Sequence, residues 1–452
     1  MNILIVGCGK IGTTLIASLT AEGHNVVAID EQSEPLNEIA NIYDVMSVCG
    51  NGADSDVLEE AGVQTADLFI AVTDSDNTNM LSCFLAKKMG AAHTIARIRN
   101  PEYNDKSLRF LKQELDLSMS VNPEQLAAQE LYKILKLPSA VKVETFSRRN
   151  FEMIELVLKD DSPLCGYSLS ALREQYKAKF LICVVQRGDE VHIPDGRFVL
   201  QAGDRIGLMA HASEIQKLMR EMRMFQKQAR NVMILGGSRT AFYLAKLLLA
   251  GGSAVTIIER DQNLCQELCA SLPKAIIICG DGAQPEVLLE EDIGSRDAFV
   301  ALTGMDEANT LIALFASSRN VPKVIAKVNR DELSTLAERL GVDCIVSPKN
   351  IIADVVVRYA RALHNSMGSK VETLYHLMDG NVEALEFVVS PEFAALGLPL
   401  KSMKIKPGIL IGGIIRDRST IIPGGDDMIL AGDHVVVVAA GRRLQDLEDI
   451  LK

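Results

Sequence analysis

The chain repeats itself after 229 or 230 residues, and this repeat constrains its fold more than any other feature. Six short segments recur in the same order in both halves. The matched pairs are 3–9 with 232–238, 26–30 with 255–259, 49–53 with 279–283, 71–79 with 301–309, 96–97 with 326–327, and 193–204 with 422–433. Chance does not produce six matches in order, so the sequence predicts two copies of one architecture.

Each half begins with short apolar runs that alternate with helical stretches. In the first half, strands are predicted at 2–6, 25–29, 45–49, 67–73 and 94–98. Strands that alternate with helices favour a parallel sheet with right-handed crossovers. The later part of each half has short strands and tight turns instead. Strands are predicted there at 151–158, 180–186, 205–209 and 435–440, and a helix at 212–229.

The predicted fold class is therefore α/β, with two tandem Rossmann-like parallel-sheet domains that are each followed by a small α+β lobe. The expected Rossmann domains are 1–138 and 229–366, and the expected lobes are 139–228 and 367–452.

Charge and hydropathy exclude several classes of partner. The net charge is -12, and an acidic surface repels nucleic-acid phosphates and anionic lipid heads. No run approaches the roughly 20 apolar residues that span a bilayer, and the first strand lacks the basic flank of a signal peptide. We expect no nucleic-acid partner, no direct membrane insertion and a cytoplasmic location.

Cysteine and histidine patterns point neither to a metal site nor to catalysis. The chain has nine cysteines but no Cys-x-x-Cys, and no nearby ligand completes a zinc set with Cys265 and Cys269. None of the seven histidines recurs at an equivalent position of the other half or lies beside a carboxylate in an evident catalytic group. We expect reduced thiols, no metal and no catalytic residue.

A Gly-x-Gly-x-x-Gly motif follows the first strand and opens a helix, as in dinucleotide-binding Rossmann domains. Its first glycine permits a tight turn, its second lets a pyrophosphate approach, and its third lets the helix pack on the strand. Asp30 ends the second strand, where its carboxylate suits ribose hydroxyls and repels a 2′-phosphate, which favours NAD over NADP. The motif residues are Gly7, Cys8, Gly9, Lys10, Ile11 and Gly12.

Polar residues after the later strands belong to the same rim, because ligands of open α/β sheets bind beyond the carboxyl ends of the strands. Asn51 is placed for the adenosine end, Thr73 and Asp74 follow the fourth strand, and Arg97 could meet a phosphate. Other roles stay open. Asp74 or Asp76 could cap the following helix, and Arg97 could form an interdomain salt bridge.

The second half has the same order of strands and helices, but its glycine motif is altered. Ser238 and Ala241 replace the last two glycines, Glu259 replaces Asp30, and Lys327 replaces Arg97. The Ser238 hydroxyl could donate to a phosphate, so either a second nucleotide site or a vestigial one is consistent with the sequence. The candidate residues there are Gly236, Ser238, Arg239, Thr240, Glu259, Asp281 and Lys327.

Over essentially all of its length the chain resembles the TrkA family of potassium-uptake regulators, which are tandem RCK proteins. The resemblance rests on the motif at 7–12, Asp30, Thr73-Asp74, the segment 96–99 and the duplicated order. It implies a homotetrameric ring on the cytoplasmic side of the inner membrane, bound to a transmembrane Trk-type potassium channel subunit. It also implies NAD(H) in the first half and NAD(H) or ATP/ADP in the second.

Three functions therefore compete. A regulator binds nucleotide without turnover and associates with a membrane protein. An NAD-dependent oxidoreductase reduces or oxidises a small substrate and needs an acid or base near the nicotinamide. A structural scaffold binds no nucleotide. The sequence favours the regulator.

Overall fold

The computed structural model describes residues 1–101, 103, 105–146, 151–222, 228–340, 342, 344–364, 371–417 and 419–452. The chain forms two compact units, and each unit takes like parts from both halves. The parallel-sheet unit is Met1–Gln129 with Asn231–Ala360, and the antiparallel-sheet unit is Glu130–Arg230 with Arg361–Lys452. The two Rossmann domains therefore share one unit, and the two lobes share the other.

The first Rossmann domain contains a six-stranded parallel sheet of order β3-β2-β1-β4-β5-β6. Its strands are β1 (Asn2–Val6), β2 (Asn25–Asp30), β3 (Met46–Cys49), β4 (Leu68–Ala71), β5 (His93–Arg97) and β6 (Met119–Val121). Its helices are α1 (Lys10–Ala21), α2 (Ser33–Ile42), α3 (Ser55–Glu60), α4 (Asp76–Met89), α5 (Asp105–Glu114) and α6 (Pro123–Lys136). The predicted fold class is confirmed, although the sequence analysis missed β6.

The first lobe is an antiparallel sheet of order β10-β9-β11-β8-β7 with two helices. Its strands are β7 (Lys142–Phe146), β8 (Phe151–Val157), β9 (Leu181–Arg187), β10 (Glu190–His192) and β11 (Arg205–His211). Its helices are α7 (Leu169–Gln175) and α8 (Ala212–Glu221). The helix predicted at 212–229 begins as expected but ends at Glu221, and neither Met222 nor residues 228–229 are helical. Residues 223–227 lie outside the described residues.

The second Rossmann domain repeats the first, with strand order β14-β13-β12-β15-β16-β17. Its strands are β12 (Asn231–Leu235), β13 (Ala254–Glu259), β14 (Ile276–Cys279), β15 (Ala298–Ala301), β16 (Lys323–Lys327) and β17 (Cys344–Val346). Its helices are α9 (Arg239–Ala250), α10 (Gln262–Ser271), α11 (Pro285–Glu290), α12 (Asp306–Ser318), α13 (Asp331–Arg339) and α14 (Pro348–His364).

The second lobe repeats the antiparallel sheet, with strand order β18-β19-β22-β20-β21. Its strands are β18 (Val371–Leu377), β19 (Val382–Val388), β20 (Ile409–Arg416), β21 (Ser419–Ile421) and β22 (His434–Ala440). The strand predicted at 435–440 is confirmed. The first Rossmann domain, the first lobe and the second Rossmann domain are proposed to end at 138, 228 and 366. Position 366 lies outside the described residues.

Burial of the central strands explains why they appear in the sequence as continuous apolar runs. All four residues of β4 are buried, because helices cover both faces of a parallel sheet. The two lobes also share a core. A Cβ at Gly413 would lie 2.2 Å from the Phe151 ring, and the Tyr375 hydroxyl donates to the Thr145 carbonyl at 2.7 Å. The lobes of the two halves thus pack as one unit.

Candidate nucleotide-binding site

The three motif glycines have different reasons to lack a side chain. Gly7 has φ +97°, and a Cβ there would lie 2.8 Å from the Thr73 nitrogen. A Cβ on Gly12 would lie 1.8 Å from the Gly7 carbonyl oxygen, so α1 packs directly on the turn. A Cβ on Gly9, in contrast, would meet nothing within 4 Å. The fold itself requires Gly7 and Gly12, whereas Gly9 leaves open space where a ligand can approach.

Helix α1 begins without a side-chain cap. Gly9 is its N-cap, and no side chain accepts a hydrogen bond from the first backbone N–H groups. The first turn carries no acidic residue either. Exposed N–H groups and the positive end of the helix dipole attract anions, so this end of α1 suits a phosphate.

Asp30 fixes the glycine loop. Its Oδ2 accepts from the Cys8 N–H at 2.6 Å, and its Oδ1 accepts from the Gln32 N–H at 2.9 Å. Burial, and to a smaller extent the Asp30 carboxylate, raises the pKa of the Cys8 thiol to about 12. Cys8 is therefore a protonated core thiol near neutral pH, and its role in the motif is its backbone N–H.

A buried asparagine that the sequence analysis did not assign to the site joins the ends of β4 and β5. Asn79 Oδ1 accepts from the Thr73 N–H at 2.8 Å and from the Thr73 hydroxyl at 2.7 Å. Its Nδ2 donates to the carbonyls of Thr73 and Arg97. Asn309 makes the same contacts with Thr303 and Lys327. The repetition of this asparagine in both halves was the signal available in the sequence.

Arg97 lies at the end of β5 with its side chain only 9% exposed. Its Nη1 donates to the Thr73 carbonyl at 3.2 Å and lies 3.5 Å from Asp74 Oδ1. Its Nε is buried and has no hydrogen-bond partner among the described residues. Burial lowers the pKa of the guanidinium, as does Arg99, while Glu124 and Asp74 oppose this. Arg97 also lines the cavity described below, where its positive charge favours an anion.

The residues near Asp74 take roles that the sequence left open. Ser75 is the N-cap of α4 and accepts from the Thr78 N–H, so neither Asp74 nor Asp76 caps this helix. Asp76 Oδ2 instead accepts from the backbone N–H groups of Arg99 and Asn100. Asp74 pairs with Arg97 within the same domain, so the structure gives no support to an interdomain salt bridge for that pair.

A cavity of about 740 Å³ brings most of the predicted first-half residues together. This volume lies in the range of small-molecule and cofactor sites. Asn51 is not among the lining residues, and its Oδ1 accepts from the Ala53 N–H at 2.8 Å. Predicted first-half residues along the cavity are Gly7, Gly9, Lys10, Ile11, Asp30, Thr73, Asp74 and Arg97.

The second Rossmann domain lines the same cavity. Thr240 and Lys327, which the sequence analysis assigned to a second site, lie here together with Asn329, Pro348 and Lys349. Burial lowers the pKa of Lys327, as does nearby Lys10, whereas Asp306 and Glu124 raise it. The first-half cavity is thus completed by the other half of the chain.

The second glycine loop has the same backbone plan but caps its own helix. Gly236 has φ +91°, and Glu259 Oε2 accepts from the Gly237 N–H at 2.6 Å. Ser238 Oγ accepts a hydrogen bond from the Ala241 N–H at 3.4 Å. This N–H is therefore not available to bind a phosphate. Asp281 Oδ1 accepts from the Ala283 N–H, as Asn51 does in the first half. The second glycine loop therefore has fewer free backbone N–H groups for an anion than the first.

Arg239 follows the second glycine loop in the sequence but lines a different cavity. It lines a smaller cavity of about 300 Å³ together with Asp74, Asp76 and Tyr103 of the first domain. Of the seven second-half candidates, the structure brings Thr240 and Lys327 to the first cavity and Arg239 to this neighbouring one. Gly236, Ser238, Glu259 and Asp281 stay around the second loop.

Comparison with known proteins identifies the repeated domains. Residues 3–114 and 232–348 match the TrkA-N domain family, and residues 153–223 and 384–452 match the TrkA-C domain family. A Trk system potassium uptake protein TrkA homolog of Archaeoglobus fulgidus is 33% identical over 452 residues, which is 100% of both chains. The Trk system potassium uptake protein TrkA of Vibrio alginolyticus is 30% identical, covering 100% of this chain and 99% of that one.

Solved structures share the fold. The GsuK RCK domain matches with a TM-score of 0.64 and 18% identity, covering 97% of this chain and 92% of that one. The GsuK channel bound to NAD matches with a TM-score of 0.62 and 18% identity, covering 97% and 76%. Throughout the described ranges, every helix is too short or too polar to span a lipid bilayer.

Proposed function

Because the chain belongs to the TrkA family, we propose that it is a nucleotide-sensing regulatory subunit of a Trk-type potassium-uptake system. Curated relatives that match it along their full length carry the name of potassium-uptake proteins. In this proposal the first half binds NAD(H) without turnover, and the bound nucleotide controls the activity of a membrane partner.

One observation carries the proposal. The first-half cavity combines an uncapped helix N-terminus, open space at Gly9, and the positively charged Arg97 among its lining residues. All three features favour a phosphate group. The amides at 9–12 and Arg97 would hold the diphosphate, and Asp30 would accept from the ribose hydroxyls.

The two-sided lining of the cavity suggests how binding is sensed. Lys327 and Lys349 come from the second Rossmann domain, whereas the glycine loop comes from the first. A ligand shifts a conformational equilibrium only through different affinities for the two states. An anion that contacts both domains favours the state in which they are close. A coupling of about 1–3 kcal/mol gives roughly a 5- to 150-fold effect on the partner equilibrium.

For the partner, we propose a transmembrane Trk-type potassium channel subunit. The chain would assemble as a homotetrameric ring and lie on the cytoplasmic side of the inner membrane through that partner. For the second half, NAD(H) or ATP/ADP remains the proposed ligand, and the Ser238 cap supports weaker binding there than in the first cavity.

An oxidoreductase is the alternative function. It requires a proton donor or acceptor beside the nicotinamide. The titratable groups along the cavity are carboxylates, lysines and Arg97, and no specific observation favours a redox reaction with a substrate. The test is turnover: purified protein should bind NADH in calorimetry without oxidising it.

Asp30→Ala should weaken NADH binding by about ten- to a hundredfold, since hydrogen bonds to a charged group contribute about 1.5–3 kcal/mol each. Isothermal titration calorimetry on the full-length protein measures this effect. Glu259→Ala is the matched control in the second half and should leave the first-half affinity unchanged. Asp30→Asn keeps an acceptor for the Cys8 N–H and should narrow the preference for NADH over NADPH. Unchanged NADH affinity in Asp30→Ala would contradict the assignment.

Membrane association needs its own measurement. The full-length protein should retain a Trk-type subunit in a pull-down from detergent-solubilised membranes, and NADH should change the amount retained. If NADH binds but no membrane subunit is retained, the nucleotide site stands and the partner proposal fails.

Lys327 should make nucleotide binding depend on pH. Its pKa is lowered in the free protein, and a bound phosphate raises it towards the ordinary value of 10.5. Affinity is therefore highest below the lowered pKa and falls as pH rises through it. Lys327→Arg keeps its charge at all relevant pH values and should lose this fall, as measured by NADH titration between neutral pH and about pH 9.5. The same decline in Lys327→Arg would assign the titration to another group.

A further inference from the structure

Three metal-ligating side chains meet in the second lobe, apart from the nucleotide cavity. His434 Nδ1 lies 2.9 Å from Glu386 Oε1 and 3.3 Å from Glu372 Oε2. One donor atom from each residue lies within 4.8 Å of the other two. Zinc–ligand bonds of about 2.0–2.2 Å in a tetrahedral site place neighbouring donors roughly 3.3–3.5 Å apart. The two distances from His434 Nδ1 differ from that spacing by about 0.6 Å or less.

Three adjacent strands hold the donors. Glu372 lies on β18, Glu386 on β19 and His434 on β22, and β19 pairs with both neighbours. The β18–β19 register shifts between Val371 and Thr373, so Glu372 is the extra residue of a β-bulge. Bulges redirect side chains and often lie near functional sites. Glu372, the most exposed of the three residues, thus lies at a bulge near the fully buried Glu386.

The first lobe provides an internal comparison. Glu155 lies opposite Gly207, two residues after Arg205, just as Glu386 lies opposite Val436, two residues after His434. In the first lobe, Arg205 and Glu155 form a salt bridge of 2.7 Å. An arginine cannot bind a metal ion because it stays protonated and has no acceptor. The second lobe has histidine at that position, which supplies a metal-ligating nitrogen.

We propose that His434 Nδ1, Glu372 and Glu386 bind one divalent transition-metal ion, with Zn²⁺ as the best chemical match. One imidazole and two carboxylates suit Zn²⁺, whereas Mg²⁺ and Ca²⁺ prefer oxygen ligands alone. The ion would join β18, β19 and β22. No local motif in the sequence indicates this site, because the three ligands are far apart along the chain.

The test uses Co²⁺ as a spectroscopic probe on the full-length protein after treatment with a chelator. Wild type should bind one Co²⁺ per chain with visible d–d bands and no near-ultraviolet thiolate band, and Zn²⁺ should displace it. His434→Arg recreates the first-lobe salt bridge and should abolish these bands while the protein remains folded by circular dichroism. Glu372→Gln changes a half-exposed side chain and should weaken binding by more than about tenfold.

His192→Arg is the matched control in the first lobe, where His192 lies 3.5 Å from exposed Glu190. It should leave Co²⁺ binding unchanged. Bands of equal strength in His434→Arg and wild type would overturn the proposal. A thiolate band in wild type that survives His434→Arg would also overturn it, because it would place the ion on cysteines. The Co²⁺ experiment tests the metal site alone, because its result does not depend on whether the protein binds NADH.

Discussion

Gly9→Val should weaken NADH binding strongly and should leave the melting temperature of the ligand-free protein nearly unchanged. A Cβ at Gly9 meets no atom within 4 Å, and the backbone there is extended (φ -70°, ψ -171°), a conformation that β-branched residues adopt readily. The added methyl groups occupy the space through which a diphosphate reaches the helix amides. We expect a loss of about a hundredfold or more, equivalent to about 3 kcal/mol, in calorimetric titrations.

Gly12→Ala is the comparison variant, because it should lower the stability of the ligand-free protein. Its Cβ would lie 1.8 Å from the Gly7 carbonyl oxygen, so α1 must move away from the turn. Overpacking of this kind costs about 1–3 kcal/mol, and more where backbone atoms collide. The melting temperature should fall by several degrees. If Gly9→Val bound NADH as wild type does, phosphate would not approach the loop there and the proposed site would be wrong.

Asn79→Ala should destabilise the parallel-sheet unit by about 3–5 kcal/mol. Asn79 is fully buried and satisfies the N–H, hydroxyl and carbonyl of Thr73 as well as the carbonyl of Arg97. Each buried polar group that loses its partner costs about 1–3 kcal/mol. The ends of β4 and β5 would also separate and displace Arg97, so NADH affinity should fall together with stability. Thermal unfolding and calorimetry measure the two effects.

Asn309→Ala is the matched control because its contacts in the second half are the same. Its cost in stability should be similar, since Asn309 is also fully buried. Its effect on NADH binding should be smaller, because it supports the backbone of Lys327 rather than that of Arg97. Equal losses of affinity in both variants would mean that Asn79 acts through global stability and does not position the site.

Local sequence patterns predicted the elements that depend on local interactions. The first five strands of the first domain lie where apolar runs predicted them. The signal is strongest for β1 and β4, which lie in the middle of the sheet and are buried almost throughout. The Gly7–Gly12 motif and Asp30 were recognisable because turn geometry and close packing require particular residue types at fixed spacing. Asn79 carried a signal too, since its counterpart Asn309 stands at the equivalent position of the repeat.

Other features depended on contacts that leave no local pattern. Ser238 was interpreted as a possible phosphate donor, but its hydroxyl accepts from the Ala241 N–H, and only the helix geometry distinguishes these roles. Arg97 was predicted near a phosphate, but its burial and its contact with the Thr73 carbonyl depend on β4 and β5 packing side by side. Glu372, Glu386 and His434 lie on three separate strands, and a bulge brings Glu372 to the others.

The sequence by itself determined the duplication, the Rossmann fold of each first part and the tight glycine turn at the start of α1, because these follow from interactions between residues close in the chain or from the repeat itself. Only the tertiary structure decided that the like domains of the two halves pack together and that Lys327 completes the first cavity. Such packing depends on the shape and charge of surfaces formed by distant segments, and hydrophobic periodicity and turn residues carry no record of it.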